Sequence, residues 1–406
     1  MFTKTGRQST RLCCLGKISC SCQADIRGDF HMSRSLSIIL IAGARPNFMK
    51  VAPVFHALDA RKKMEVAEGR DLHVSVVHTG QHYDDNMSDV FFRDLDIPMP
   101  ERHLEVGSGT HAEQTARIMV AFEKVIFEKR PDIVVVVGDV NSTFACSLTA
   151  KKLGIKVAHV EAGLRSFDMG MPEEINRKLT DAISDYLFVT EEAGVRNLQA
   201  EGVPGEKIFL VGNVMIDTLK RSLVRISEGD YLPSRLVRDF CGGGNRYALL
   251  TLHRPSNVDS REVLGPIWSA INEIAKQIPI LFPIHPRTRK RVTEFVTDRS
   301  QVSMVDPIGY LDMVCAVKGA TMVLTDSGGL QEETTFLGVP CVTIRENTER
   351  PITVEIGTNY IAGTKPDAIL AAAREILSGK GKKGEIPLLW DGHAANRIAD
   401  ILLSWG

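Results

Sequence analysis

Three carboxylates in this chain sit where side chains can do proton chemistry. GDVNST, residues 138–143, follows an apolar run and sets Asp139 at its end. HVEAGLRS, residues 159–166, does the same for Glu161, with His159 and Arg165 nearby. MPEEINRKLTD, residues 171–181, opens a helix with Glu173 in its first turn. Acids brought together repel and raise each other's pKa, which turns a carboxyl into a usable proton carrier near neutral pH. Each also has a plain structural use. Asp139 or Asn141 would serve as an Asx turn or helix cap, and acids in a first turn favour the helix dipole.

A second group of loops suits an anion. GARPNFMK, residues 43–50, ends an apolar run in Gly43 and opens a helix, offering free backbone N–H groups with Arg45 and Lys50 beside them. It is not GxGxxG, so a dinucleotide fingerprint is absent. TLHRPSN, residues 251–257, places His253 and Arg254 after another apolar run, and HPRTRK, residues 285–290, adds basic residues that would equally serve a solvated face. The most specific element is TDSGGLQEE, residues 325–333. Ser327, Gly328 and Gly329 turn into a helix whose N-terminus suits a diphosphate, and Glu332 or Glu333 one turn on would accept hydrogen bonds from ribose hydroxyls. A helix cap with surface acids would not need both glycines.

Other chemistries lack their patterns. There is no GxSxG elbow and no HExxH. His78 and His82 are four apart, but Thr79-Gly80 interrupts the helix they would share, and His159 with Glu161 is a weak ligand pair. No metal site is expected.

These loops need a scaffold that brings them together. Apolar runs at residues 37–42, 74–78, 133–137, 157–160, 186–189 and 208–211 alternate with amphipathic stretches such as 113–129 and 143–152, which predicts a parallel sheet with helices on both faces. Residues 216–246 read as helical and irregular, with a Gly-rich break at 242–244. The pattern then restarts with runs at 248–252, 280–284, 303–305, 322–324, 342–344 and 359–362. The expected fold class is α/β, with two doubly wound Rossmann-like domains around a cleft. The expected boundaries are a disordered extension over 1–33, domains over 34–213 and 214–387, and a final helix within 388–406 packing back on the first domain. In open α/β sheets ligands bind at the carboxyl ends of strands, which is where every loop above lies.

Bulk properties agree. The chain has 406 residues, 44% apolar and 24% charged, enough for two α/β cores. Its formal charge of −1 gives no global attraction to nucleic acid or an anionic membrane, so neither is expected as a partner. No apolar run approaches a membrane span. Of eight cysteines, Cys13, Cys14, Cys20 and Cys22 crowd the basic, Ser/Thr-containing start, and Cys146, Cys241, Cys315 and Cys341 are scattered without a shared spacing. The expectation is reduced thiols in a cytosol; the basic start would suit an organelle transit peptide, but Met32 as the true start is the favoured reading.

In order, GARPNFMK, HTGQHYDD, GDVNST, HVEAGLRS, MPEEINR, HRPSN, TDSGGLQEE and RENTERP resemble the non-hydrolysing UDP-N-acetylglucosamine 2-epimerases, from about residue 37 to the C-terminus. The resemblance implies two domains of the GT-B type, a homodimer, and no redox cofactor or essential metal, and the cysteine usage adds a cytoplasmic location. It implies a UDP-sugar substrate that loses the carbon-2 proton and UDP, passes through bound 2-acetamidoglucal, and regains both with carbon 2 inverted. The product, UDP-N-acetylmannosamine, would be a precursor of surface polysaccharides. The family's acid/base residues fall on Asp139, Glu161 and Glu173. Its diphosphate histidine falls on His253, and its first-loop basic pair on Arg45 and Lys50. Its phosphate turn falls on Ser327, Gly328 and Gly329, and its ribose contact on Glu333. Arg165, Tyr310 and Arg345 complete the expected substrate contacts.

One run departs from the family. Many members carry His-Arg-Arg-Glu-Asn, where substrate also activates; here it reads His253-Arg254-Pro255-Ser256-Asn257, and Asp84 stands where a Gln is often found. Hyperbolic kinetics are therefore expected, and room is left for a modified UDP-sugar such as a UDP-2,3-diacetamido uronic acid. A hydrolysing relative and a GT-B glycosyltransferase are the rival readings.

Overall fold

The computed structural model describes residues 34–67, 70–80, 94–242, 244–296, 298–299 and 301–404. The expected 1–33 extension and the Asp84 position lie outside them.

Each buried apolar run is a strand. The first sheet holds, among the described residues, β1 (Arg34–Ala42), β2 (Arg70–His78), β3 (Arg102–His103), β4 (Ile133–Val137), β5 (Lys156–Ala162), β6 (Tyr186–Val189) and β7 (Ile208–Leu210). Their order is β3-β2-β1-β4-β5-β6-β7. The second sheet holds β8 (Ala248–Thr251), β9 (Ile280–Pro283), β10 (Val302–Val305), β11 (Met322–Thr325), β12 (Cys341–Thr343) and β13 (Asn359–Ile361), in the order β10-β9-β8-β11-β12-β13. The described pairings are parallel. β4 shows why: Ile-Val-Val-Val-Val is buried at all five positions, as a strand covered on both faces requires. The expected α/β class with two doubly wound sheets is what the chain forms.

Both sheets reverse direction in the middle, at β1/β4 and at β8/β11. A crevice opens at such switch points, and the loops after these four strands flank it. Local chemistry sets the connecting helices. Helix His111–Lys129 starts at Thr110, whose side chain accepts from Glu113 N while the Glu113 carboxylate accepts from Thr110 N. Such a box is worth about 1 kcal/mol.

Residues 34–406 form one compact unit. Helix Val214–Ser227 packs on helix Arg45–Ala67, where Thr218 Oγ1 donates to Met49 O at 2.6 Å, and it also meets helix Gly328–Leu337 of the second half. The last helix, Ala394–Leu403, returns to the first half, with Ile398 and Leu402 in the same core as Val51 and Leu58. Asp217 caps it by accepting from Ala394 N and Ala395 N. Cys146, Cys241, Cys315 and Cys341 are free thiols. No helix of the described residues is long and apolar enough to cross a membrane.

Candidate active site

The first half supplies acids at strand ends. Asp139 follows β4 after Gly138, whose φ of +68° and close neighbours exclude a side chain: a Cβ there would lie 3.0 Å from Lys50 Nζ and 3.3 Å from Glu161 Oε2. Glu161 sits where the β5–β6 register slips between Val160 and Ala162, and its own φ is +73°. A bulge of this kind re-aims one side chain at a cost of about 1–3 kcal/mol for the left-handed backbone. Surrounding bonds hold it. His159 bridges Gly138 O at 2.8 Å and Asp181 Oδ1 at 2.6 Å, and Asp181 Oδ2 accepts from Gly163 N at 3.1 Å.

Cations close over both acids. Lys50 pairs with Glu161, and Asn47 shapes the loop before Lys50 by accepting from Gly43 N and Ala44 N at 3.0 and 2.9 Å. Arg177 donates to Asp139 Oδ2 at 2.7 Å. Arg350, from the loop after β12, donates to Glu161 Oε1 at 2.7 Å. Burial alone would raise the pKa of both carboxyls. For Asp139, the charges of Arg177, Lys50 and Arg350 outweigh it; for Glu161, those of Lys50 and Arg350 do, and both groups are held below their ordinary values. Mutual repulsion was expected to raise them. The cations win instead, so both stand ionised, as a base must before it takes a proton.

The adjacent glutamates of MPEE divide their roles. Glu174 is fully buried and accepts from Ser166 N, Ser166 Oγ, Phe167 N and Arg177, which pins the loop after β5 to the helix Pro172–Ile183. Glu173 is half-buried on the other side of the turn and lies in electrostatic reach of Arg254.

The second half supplies the loops whose residues suit an anion. Asp326 is buried after β11 and accepts from His253 N at 3.0 Å, Arg254 N at 2.9 Å and His253 Nδ1 at 2.8 Å. His253 itself is 56% exposed, so its ring is held from behind and faces open space. Burial pushes the Asp326 carboxyl up, but the hydrogen bond and charge of His253 keep it below the ordinary value. Ser327 precedes helix Gly328–Leu337 without capping it by side chain, leaving the helix N-terminus available. A Cβ on Gly328 would lie 2.6 Å from Arg350 Nη1, and one on Gly329 would meet only Met215 Cε at 3.7 Å. Glu333 is buried and accepts from the Tyr310 hydroxyl at 2.9 Å; burial carries its carboxyl up to about 7. Beside His253, a cavity of about 470 Å³ is lined by Pro283, His285, Ile308 and Met313.

Glu349 organises the cations. Arg345 grips it with two bonds of 2.9 and 2.7 Å, and Arg350, Arg177 and Arg254 approach at 3.4, 3.5 and 3.9 Å. Against the cost of burial, these charges hold its carboxyl far below the usual range.

The expected residues divide accordingly. Asp139, Glu161, Lys50, Ser327 and Gly328 converge, linked through Arg350 and Arg177. Arg45 opens helix Arg45–Ala67, but its side chain lies outside the described residues. Arg165 does not reach the crevice as expected. Its guanidinium is buried and spent on Glu201 at 2.9 and 2.6 Å, Asp181 at 2.8 Å and Leu164 O at 2.8 Å, so it braces the loop after β5. Arg345 likewise serves Glu349 before any ligand. Arg177, Asp326, Glu349 and Arg350 were not singled out from sequence, although each lies within a motif that was. Among the described residues, no cluster of histidine, cysteine and acid could hold a metal.

Comparison with known proteins follows the same lines. The family model for UDP-N-acetylglucosamine 2-epimerase matches residues 64–403. A UDP-N-acetylglucosamine 2-epimerase of Methanocaldococcus jannaschii is 44% identical over 90% of this chain and 98% of its own. A UDP-2,3-diacetamido-2,3-dideoxy-D-glucuronate 2-epimerase of Pseudomonas aeruginosa is 41% identical over 90% and 99%. A crystal structure of the M. jannaschii enzyme with UDP-GlcNAc and UDP superposes with a TM-score of 0.81 at 43% identity, covering 92% of this chain and 100% of that one.

Proposed function

The chain belongs to the UDP-N-acetylglucosamine 2-epimerase family, an isomerase family with GT-B-like structures, and from that premise we propose how its residues invert carbon 2 of a UDP-sugar. The observation that carries the reading is the meeting of Glu161 from the first sheet with Arg350 and the Ser327–Gly329 turn of the second.

UDP-N-acetylglucosamine lies across the crevice. Its uracil enters the cavity beside His253, its ribose hydroxyls donate to Glu333, and its diphosphate lies on the helix N-terminus at Gly328 and Gly329. The sugar then lies under Asp139 and Glu161. Carbon 2 is a weak acid, so a positioned carboxylate removes its proton as the bond from carbon 1 to the diphosphate oxygen breaks. The electron pair of the carbon–hydrogen bond becomes the carbon 1–carbon 2 double bond of 2-acetamidoglucal, and UDP leaves with the pair of the broken carbon–oxygen bond. His253, Arg254 and the helix N-terminus stabilise the charge that builds on the diphosphate, typically a few kcal/mol per donor. UDP then returns, an oxygen pair of its diphosphate forming the bond to carbon 1, while the double-bond pair takes a proton on the opposite face of carbon 2 from a second member of the set Asp139, Glu161 and Glu173; that donor first takes its proton up from solvent, and the first base gives its own back to solvent. The glucal has to be held throughout, which calls for a crevice closed to water.

The test is incubation with UDP-N-acetylglucosamine in heavy water, followed by proton NMR. Deuterium at carbon 2 with the UDP-sugar intact supports the reading. Free N-acetylmannosamine would point to hydrolysis, and no exchange would remove it. The P. aeruginosa relative and the His253–Asn257 departure favour one second reading, a diacetamido uronic acid as the sugar. The same assay with both UDP-sugars ranks them by kcat/KM.

The same reading takes residues 34–213 as the domain carrying the acids, 214–387 as the UDP-binding domain and 388–406 as the returning tail. It also makes the protein a cytoplasmic homodimer that supplies a precursor of surface polysaccharides. The exposed Val120, Phe127, Ile175 and Leu179 on helices His111–Lys129 and Pro172–Ile183 offer an apolar face for a second copy, and sedimentation equilibrium measures it.

A further inference from the structure

A second cavity, of about 250 Å³, lies where helices Arg45–Ala67 and Val214–Ser227 meet the returning chain at Gly392 and Asn396. It shares no lining residue with the crevice groups described above. At about 30 Å³ per water, it has room for about eight waters or a ligand of similar bulk. Ala57, Ala60, Leu95 and Ala395 give it apolar walls. Two ties hold the three parts of the chain around it: Thr218 Oγ1 donates to Met49 O, and Asp217 caps the returning helix.

The charge on its walls is one-sided. Arg221 and Arg225 stand one turn apart on helix Val214–Ser227, which brings two guanidinium groups to the same face. The acids that border the cavity are turned to other work. Asp217 spends its two oxygens on Ala394 N and Ala395 N, at 3.2 and 2.7 Å. The Asp94 carboxylate is aimed at the second half, where its Oδ2 would lie 3.6 Å from a Cβ on Gly309. Asp96 meets Arg221 at 2.9 Å, but both side chains are well exposed and such a pair holds only weakly. Arg225 is part-buried and donates to Asp94 O; among the described residues it makes no ion pair. His56 bonds through Nε2 to Leu95 O at 2.9 Å. Burial, reinforced by the charge of Arg221, holds its ring below the ordinary value against the opposing pull of that bond, so the ring is neutral near pH 7. A guanidinium withdrawn from water without a carboxylate carries a cost that an arriving anion relieves.

We propose that this cavity is a second ligand site, for a small organic anion whose apolar body fills the alanine-lined space and whose carboxylate or phosphate is held by Arg221 and Arg225. The apolar walls favour such a body over a bare inorganic ion. The guanidinium groups match the paired oxygens of either head group. An occupant touches three helices at once and stabilises the folded chain by mass action.

The test is ligand-observed NMR titration of the full chain, with UDP at saturation so that the crevice is blocked. The probes are benzoate, phenyl phosphate, benzyl alcohol and inorganic phosphate. Benzoate should bind saturably with a Kd on the order of 1 mM, as its few heavy atoms allow. Phenyl phosphate against benzoate ranks the two head groups. Benzyl alcohol and inorganic phosphate should each bind at least about 10-fold more weakly, one lacking the charge and the other the apolar body. Arg225→Gln should weaken benzoate about 10-fold, the loss expected for one charge-assisted contact. Ala60→Trp, at an exposed wall position, should abolish binding by filling the space. Arg221→Gln repeats the charge test should Arg225→Gln fail to fold. Carbon-2 exchange with UDP-N-acetylglucosamine should stay within about 2-fold in all three, since none touches the crevice. No saturable benzoate binding up to about 20 mM overturns the proposal. So does benzoate binding that UDP displaces, that benzyl alcohol or inorganic phosphate equals, or that the folded variants leave unchanged. The readout is binding, so failure of the unaltered protein to exchange carbon 2 overturns the epimerase reading and leaves this test intact.

Discussion

His253 Nδ1 lies 2.8 Å from Asp326 Oδ1, and the same carboxylate accepts the backbone N–H groups of His253 and Arg254. One buried acid therefore sets both the ring and the turn that carries it. The arrangement fixes which nitrogen of His253 faces the crevice, because a carboxylate on Nδ1 leaves Nε2 outward.

Replacing Asp326 with Asn should lower kcat by about 10- to 100-fold, through loss of the charge behind His253. It should also flatten acid sensitivity. The folded carboxyl is held below its unfolded value, so its stabilisation is present above the unfolded pKa and is lost as pH falls through the folded one. Thermal melts of both proteins from pH 6 to pH 3 measure this: the parent should lose stability over that range faster than Asp326→Asn.

Asp139→Asn and Glu161→Gln should each cut turnover by at least about 100-fold, the range for loss of a general acid or base. UDP affinity should stay within a few-fold, since the nucleotide is held by the other half. Turnover near the parent's in both would remove the acid assignment.

Arg165→Ala should behave as a stability change. Removing one partner of a fully buried ion pair costs about 3–5 kcal/mol, and the loss here should fall below that, since Asp181 keeps His159 and Gly163 N while Glu201 is partly exposed. A lowered Tm with an unchanged KM in the folded fraction is the expected pair of results. A raised KM at unchanged Tm would restore Arg165 as a substrate contact.

Glu191 gives a pH test of the contact between halves. It is buried, and burial, together with Glu332, lifts its carboxyl to about 8, against the smaller opposing effect of Arg350. The folded pKa is raised, so its contribution is fully present below the unfolded value near 4.5 and is lost as pH rises towards 8. Glu191→Gln should hold its Tm better than the parent as pH rises from about 4.5 to about 8.

Much of this was legible in the sequence for physical reasons. Buried parallel strands must be apolar throughout, so β4 announces itself; β3, two exposed residues Arg102 and His103 at the sheet edge, carries no such pattern. The rule that ligands meet strand ends led to Asp139, Glu161 and Ser327. Pairing across the crevice was not legible. Glu173 and Glu174 differ by one step around a helix, about 100°, and only packing shows that Glu174 is spent on the loop at Ser166 and Phe167. Arg345 and Arg350 are equally basic in the sequence, yet Arg345 is taken by Glu349 while Arg350 reaches Glu161. Arg165, read as a contact because it follows Glu161, faces inward. The carboxyl pKa values were misjudged because the cations that lower them come from residues distant in the chain.

The chain crosses between its halves twice, and the crossings touch. A Cβ on Gly212 would lie 2.0 Å from Leu389 O, and both residues have left-handed backbones, with φ of +88° and +63°. Trp390 beside them is anchored through Nε1 to Thr190 O at 3.2 Å. Two strands of backbone packed this closely pin the entry to the second half and the return from it at one point. Removing the residues after Gly384 would therefore strip Ile398 and Leu402 from the first core and Leu389 from Gly212, leaving the halves joined by a single crossing.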